Sequence, residues 1–453
     1  MGAVSRANLS EMTVGVTAAA KIVRMGGNRR FRTPVGGRMT TVDSKNDRRP
    51  PLWTATRADA ADWFDREEVE RSRKYKRPLK RLSLVNSVIS AIFLVVLIAT
   101  EAIPNLLDGL GLTNWPLSLV VAIVVVLGLG SLIDLPSSAW VALSYDKKWE
   151  LSTTSTKTFV LDQIKGYFVT VLLLSAIFLP VYAVIRATDN WWLYGTLLLM
   201  GVSLFVAFVY PVVIMPIFNK FVPLGDEDLK ARIDKVADLA GVTIKGSFTM
   251  DASKRSRRDN AFVAGFGPTK RVVVFDTMLE HPAHTVEQVV AHEIGHYRLQ
   301  HILTSIPTAL LSTLLSFGLL QLLTTWDALL EFAGVQSLGD PGSFPLFLGL
   351  FALIQMVTSL PTSFLSRHHE READLEALRL LRDPGCMVDV WKRMAPKNIA
   401  DLEPTWWKRL NASHPGAAER MAFATEWGRL NDVEVVPPPA DAPPVKPRES
   451  VDA

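Results

Sequence analysis

The sequence predicts a mainly α-helical, polytopic membrane protein that carries a small α+β unit on the water side. Three observations lead there. Apolar runs at about 84–104, 116–143, 167–185, 192–215, 302–325 and 344–365 each approach the length a helix needs to cross a hydrocarbon core of roughly 30 Å. The stretch between the fourth and fifth runs is polar, with mixed helix and strand patterning. Basic residues gather in every second connection, as they do on the inner side of a membrane.

Residues 1–66 contain GGNRRFRTPVGG and many small polar residues. No apolar core of a secretory signal precedes the basic cluster, so they are expected to be a mobile, basic cytosolic leader. Residues 67–215 are read as four spans with their connections. Lys80 and Arg81, then Lys147, Lys148, Lys157 and Lys165, then KRSRR and TKR in the large connection mark one side. Asp108, then Arg186 and Asp189, then Asp327, Glu331 and Asp340 mark the other. Six spans place both termini and the large connection on the cytoplasmic side of a cell membrane. The formal net charge of +4 then reports topology and attraction to anionic lipid, and excludes a nucleic-acid footprint.

Residues 216–301 form the water-side unit. LGDEDLKARIDKVADLAG has an acidic first turn and a Gly stop, the marks of an amphipathic helix. KGSFTMDAS and KRVVVFDTM have strand composition and are read as a hairpin around a basic loop containing Asn260 and Gly265. A free edge of such a sheet can hold an extended peptide. HPAHTVEQVVAHEIGHYRLQH then reads as a single helix. Pro282 is tolerated near its start, Val286, Val289 and Val290 form its apolar face, and it runs on into the fifth span with Pro307 as its bend.

Within that helix, HExxH sets His292 and His296 on one face, with Glu293 placed to reach a water held between them and a metal. A catalytic zinc commonly takes three protein ligands, so a further histidine or a carboxylate is required. The sequence has eight histidines. The strongest region for the third ligand is SRHHEREADLEALRL at 366–380, just after the sixth span and on the same face of the membrane. Glu370 and Asp374 share a helical face at i,i+4, whereas Glu372 points elsewhere. Glu370 can offer a metal oxygen, and Asp374 can orient His292 or His296 through the second ring nitrogen. Residues 302–365 supply the last two spans, and 366–430 a cytosolic helical region that completes the site. The Pro-rich end, 431–453, is expected to be extended or disordered. Lone Cys386 excludes an intrachain disulfide and reads as a buried thiol.

The chain resembles the type I CAAX prenyl protease family, integral-membrane zinc metallopeptidases related to the bacterial heat-shock membrane protease. The likeness spans about 70–427 and rests on five blocks in order. These are YPVVIMPIFNKFVPL at 210–224, DASKRSRRDNAFVAGFGPTKRVVVFDTML at 251–279, VVAHEIGHY, SRHHEREAD and ASHPGAAERM at 412–421. It implies a small α+β cytosolic zinc-peptidase unit binding one Zn²⁺ per chain through His292, His296 and Glu370, with Glu293 as general base. His414 is implied at the oxyanion, Asn260 at the substrate backbone, and Arg367 and Asp374 as polar supports. Eukaryotic members of the family look like seven-span proteins, whereas the first span here starts near residue 84 and nothing in 1–66 reads as a span.

The expected reaction is hydrolysis of a peptide bond in a membrane-associated or C-terminally prenylated, CAAX-like substrate. General turnover of membrane proteins is the alternative. The partners are a peptide or protein, lipidated in the CAAX case, and membrane lipid. A transporter would show internal repeats or paired broken helices, which are not seen. An inactive scaffold need not keep both histidines together with Glu293.

Overall fold

The computed structural model describes residues 47–446, apart from Phe266 and the side chain of Pro268. The expected leader over 1–46 and residues 447–453 of the expected tail lie outside the described residues.

Among the described residues, six helices are long and apolar enough to cross a membrane. The first four are α1 (Arg66–Ala99), α2 (Trp115–Lys148), α3 (Thr156–Ala187) and α4 (Trp191–Phe218). The apolar windows of the six are only 6% to 39% buried, and Leu132, Phe168, Leu172 and Phe205 stand exposed on their outer faces. Such surface is stable against lipid, not water. Helix α1 begins far before its apolar run. Glu68 caps its start, its carboxylate accepting from the Asp65 N–H at 2.9 Å, and Tyr75 is buried in the basic half.

The water-side unit begins with β1 (Phe221–Pro223) and α5 (Glu227–Ala240). Asp226 caps α5 by accepting from the Leu229 N–H at 2.7 Å, and Gly241 ends it at φ 65°, a conformation glycine adopts without a Cβ clash. Three strands follow: β2 (Gly246–Met250), β3 (Ala261–Ala264) and β4 (Arg271–Phe275). The sheet order is β1-β2-β4-β3. The expected hairpin is therefore wrong: β2 and β4 pair in parallel, and β3, from the connecting loop, adds antiparallel to β4 as an edge strand. β3 was missed because AFVA is too short to show alternation.

The basic loop before β3 ties this unit to the membrane helices. Arg255 forms a bidentate pair with Asp162 of α3 at 2.6 and 3.0 Å. Arg258 reaches the Tyr75 hydroxyl of α1 at 2.6 Å and Asp146 of α2 at 3.2 Å. Charges read in the sequence as topology marks are thus also structural pairs.

Helix α6 (Ala283–Arg298) carries HExxH. Its Val286, Val290 and Ile294 are fully buried with Ile233 and Val236 of α5 and Val272 and Val274 of β4. The fifth span, α7 (His301–Leu323), is a separate helix. The chain breaks at Leu299–Gln300, where Gln300 takes φ 57°, and α7 continues helically through Pro307. This overturns the expected continuous helix. The i,i+4 spacing carries through 292, 296 and 300 and gives no warning of a left-handed residue.

Helix α8 (Phe344–Leu381) contains the sixth span and its water-side extension in one piece. In its apolar part it is joined to α7 by Ser316, whose hydroxyl donates to Gln355 Oε1 at 2.9 Å; Thr358, on α8 itself, donates to the same oxygen at 2.7 Å. Helices α9 (Pro384–Lys397), α10 (Trp406–Asn411) and α11 (Ala417–Leu430) complete the unit, with Met421 and Trp427 in its core.

Two expected disordered segments are packed where they are described. Leu52 is buried in the water-side core, its carbonyl accepts from Arg371 at 3.1 Å, and Trp53 stacks on His368 with centroids 3.5 Å apart. At the other end, Val445 N donates to His281 O at 3.0 Å, and Lys446 N to Leu279 O at 2.8 Å. Polar composition hid both because their few apolar anchors are isolated in sequence.

Candidate metal centre

One turn of helix presents His292 and His296 together from α6. The glycine between them lets α8 approach: a Cβ on Gly295 would lie 3.2 Å from Ala373 O and 3.3 Å from Glu376 Cβ. That close crossing brings Glu370 opposite both rings. Glu370 Oε2 lies 3.4 Å from His292 Nε2, Glu370 Oε1 lies 3.4 Å from His296 Nε2, and the two Nε2 atoms are 3.2 Å apart.

These residues fit a metal. Glu370 Oε2 is a buried carboxylate oxygen that accepts no hydrogen bond; Arg420 Nη1 faces it from 3.5 Å without satisfying it, so room for a further positive charge remains. Two imidazole nitrogens facing each other beside it present lone pairs to the same point. The ligand atoms of His292, His296 and Glu370 all lie within 4.8 Å of one another. Two nitrogens and a carboxylate oxygen are a common donor set of catalytic zinc.

Asp374, one turn beyond Glu370, places Oδ1 3.0 Å from His292 Nδ1. Arg420 Nη2 lies at the same 3.0 Å from that nitrogen; a proton shared between Nδ1 and Asp374 leaves Nε2 free as a ligand. Sequence reasoning could not choose between the two histidines for Asp374, and the structure places it against His292. Asp374 is also held by Arg420 of α11, whose Nε donates to Oδ2 at 2.8 Å and whose Nη2 bonds Oδ1. Arg420 is buried, lies 3.5 Å from Glu370 Oε2 and covers the Trp391 ring at 4.2 Å. Burial pushes its pKa down, but Asp374 and Glu370 outweigh this and hold it above its ordinary value.

No role was read for Arg420, although it sits inside the ASHPGAAERM block. The usable signal was an arginine set beside Met421, Ala422 and Phe423 on a helix with an apolar face, which burial obliges to pair with carboxylates.

Glu293 is partly buried on the same turn. Burial raises its carboxyl above the ordinary range, with Glu370 adding to the shift and His292, Arg420 and His414 opposing it. Burial lowers His296, partly offset by Glu370. His414 enters from the connection between α10 and α11, with Nε2 3.3 Å from Glu370 Oε1 and Nδ1 2.7 Å from Ser413 Oγ. Burial lowers its pKa too, although its side chain keeps 63% exposure on the open side of the site.

Arg367 does not reach the ligands. It donates from Nη1 to Leu410 O at 2.8 Å and Ala412 O at 2.6 Å, anchoring the segment that leads to His414. Asn260 is bound to its own strand at the start of β3, its Oδ1 accepting from Ala261 N at 2.9 Å. The site thus gathers His292, Glu293, His296, Glu370, Asp374 and His414, with Arg367 one segment removed and Asn260 at the sheet edge.

Two family models match adjoining stretches of the chain. The CAAX prenyl protease N-terminal model, described as five membrane helices, matches 45–220, and the Peptidase family M48 model matches 223–428. Among the described residues of the first region there are four candidate spans. The chain is similar to CAAX prenyl protease 1 of Saccharomyces cerevisiae, 29% identical over 397 residues covering 80% of this chain and 86% of that protein. It is also similar to the uncharacterized metalloprotease YhfN of Bacillus subtilis, 27% identical over 299 residues covering 65% and 70%. The crystal structure of S. mikatae Ste24p superposes with a TM-score of 0.72 at 24% identity, covering 84% of this chain and 92% of that one, so the two share their fold. Joined M48 and CAAX-protease membrane models account for both halves of the architecture: the chain belongs to the CAAX prenyl protease family of M48 peptidases and is a multi-pass membrane metalloprotease.

Proposed function

We propose that this chain is a zinc endopeptidase that hydrolyses peptide bonds in membrane-associated substrates, including C-terminally prenylated, CAAX-like ones, at the cytoplasmic face of the membrane. The observation that carries the reading is the convergence of His292 Nε2, His296 Nε2 and Glu370 Oε2, an oxygen that accepts no hydrogen bond, on one buried point. His292, His296 and Glu370 would hold the ion. When bound, Zn²⁺ supplies Lewis acidity, polarising the scissile carbonyl and lowering the pKa of water.

The remaining work falls to the chain's own residues. Glu293 takes the proton of the attacking water and returns it to the leaving amine. Its raised carboxyl pKa suits a group that must both accept and release that proton. His414 faces the site through Nε2. With Ser413 donating to Nδ1, the His414 proton sits on Nε2, where it can stabilise the developing oxyanion. The free side of β3 runs past this turn and can pair with an extended substrate backbone, with Asn260 at its start to meet that backbone.

The relatives named CAAX prenyl protease 1 support a prenylated substrate, and the bulk of apolar helix beside the site suits an anchored peptide. Cleavage of matched peptides with and without a C-terminal prenyl group, by purified protein with and without chelator, tests the proposal. Chelator-sensitive cleavage favouring the prenylated peptide supports it. Equal cleavage of both assigns general membrane-protein turnover, and chelator-resistant cleavage overturns the metal reading.

A further inference from the structure

The reading of His292, His296 and Glu370 as the metal set leaves one buried cluster unused. His301 opens α7 immediately after the break at Gln300, and its ring is buried. Its Nδ1 lies 2.8 Å from His296 Nδ1, and its Nε2 lies 3.2 Å from Glu372 Oε2. His301 Nε2 is buried and makes no hydrogen bond among the described residues; the Glu372 carboxylate, at ion-pair distance, is the acceptor within its reach. Glu372 Oε1 lies 3.4 Å from His368 Nε2, and His368 is itself fixed by its stack on Trp53. The flat side of His301 is covered by His369, parallel to within 9° and 4.2 Å away.

Two imidazole nitrogens at 2.8 Å need one proton between them, and the chemistry at His296 decides who owns it. A neutral His296 that offers Nε2 to a metal carries its proton on Nδ1. It therefore donates to His301 Nδ1. His301, accepting there, must carry its own proton on Nε2, which points at Glu372. Every proton in the line has one place to go. The same logic on the other ligand is shorter: Asp374 meets His292 Nδ1 directly.

Resting on the metal reading above, we infer that His301 and Glu372 are positioning residues: a carboxylate–imidazole relay, Glu372–His301–His296, that fixes the tautomer of His296 and strengthens it as a ligand. The two metal-binding histidines are then served by two carboxylates of α8, one directly and one through a second ring. The break at Leu299–Gln300 has a use in this arrangement, since a continuous helix would turn residue 301 away from residue 296 by roughly 140°.

The competing reading is a second metal bound by His301, His369 and Glu372, whose ligand atoms also lie within 4.8 Å of one another. The stacking opposes it. Imidazole lone pairs lie in the ring plane, and two parallel, stacked rings share no in-plane point. His369 is also engaged elsewhere, Nε2 lying 3.2 Å from Thr304 Oγ1 and Nδ1 3.4 Å from Ser305 Oγ.

The test is zinc affinity of the full chain in detergent, measured by competition with a chromogenic chelator, for the parent, E372Q, H301F and the double variant. E372Q keeps the shape of the side chain, and H301F keeps the stack on His369 while removing both nitrogens. Loss of an outer partner of a metal histidine typically costs about 10- to 100-fold in affinity. We expect losses in that range for each single variant, with the double variant no weaker than H301F alone, because Glu372 acts only through His301. A packing role would give additive losses. Unchanged affinity in E372Q overturns the relay, and so do additive losses. A second bound equivalent of zinc in the parent that disappears in E372Q overturns it in favour of a second metal site. Should H301F fail to fold, E372Q decides alone. A parent that retains no zinc overturns the metal reading itself, and with it the relay.

Discussion

Replacing Arg420 with Met tests the electrostatic frame behind the candidate metal centre. Arg420 is 5% exposed and neutralises Asp374 through two bonds, while also facing Glu370 at 3.5 Å. Met preserves much of the stem that packs on Trp391 but leaves Asp374, which is 1% exposed, with His292 as its remaining partner. Removing one member of a buried pair typically costs about 3–5 kcal/mol, because the other charge stays buried. For a cooperative unit of about 150–250 residues, each kcal/mol moves Tm by about 2–4 °C, so the metal-free R420M protein should melt about 6–20 °C below the parent. Tryptophan fluorescence of EDTA-treated protein in detergent measures this. The double variant R420M/D374L should recover much of the loss, since it removes both charges. A fall of less than about 2 °C in R420M, or a double variant less stable than R420M, would refute the argument that Asp374 needs its guanidinium.

Other consequences can be checked separately. E293Q should keep its zinc while losing about 10²–10⁴-fold in peptide cleavage, whereas H292A should lose metal and activity together; metal content and rate measured on the same preparations separate the two. Cys386 is 3% exposed and its thiol is pushed well above the ordinary range by burial, with Asp383 and Asp389 adding to it; it should resist maleimide at pH 8 in the native protein and react once unfolded. Asp401 pairs with Lys80 at 3.0 Å and Lys408 at 2.6 Å. Burial raises its pKa, but the two lysines outweigh it and hold the carboxyl below the ordinary value of 3.8. A depressed carboxylate stabilises the fold above its unfolded pKa and loses that contribution as pH falls through the folded one. D401N should therefore be less stable than the parent near neutral pH, and the difference should shrink below about pH 4, as read from unfolding midpoints across pH.

The spans were legible because lipid imposes a long, uninterrupted apolar demand on sequence, and all six fell where the runs lay. The cluster of His292, His296 and Glu370 proposed to hold the metal was legible for a different reason: ligand types at helical spacing are a local pattern, and topology returned the second segment to the same face. The sheet order, the break at Gln300 and Arg420 depend on contacts between segments far apart in sequence. β3 spans four residues and owes its pairing to β4, which no local pattern records. Leu52 and Trp53 are single anchors in a polar stretch, so composition assigned them to a loose leader although they pack on α8 and the core.

The abrupt change from HExxH to apolar helix has a structural solution that differs from a single rigid rod. The proposed ligands come from two helices with opposite relations to the bilayer. His292 and His296 stand on α6, which is packed wholly within the water-side unit and separated from the fifth span by the left-handed turn at Gln300. Glu370 and Asp374 stand on α8, which runs without a break from the sixth span into that unit. A movement of the sixth span relative to the water-side sheet would therefore displace one ligand against the other two. The buried contacts that oppose such movement are Gly295 against Ala373, Arg420 against Asp374, and Arg371 against Glu419 at 2.7 Å. All three lie within about one helical turn of Glu370 along α8. These contacts brace α8 against the water-side unit at the turn that carries Glu370 and Asp374.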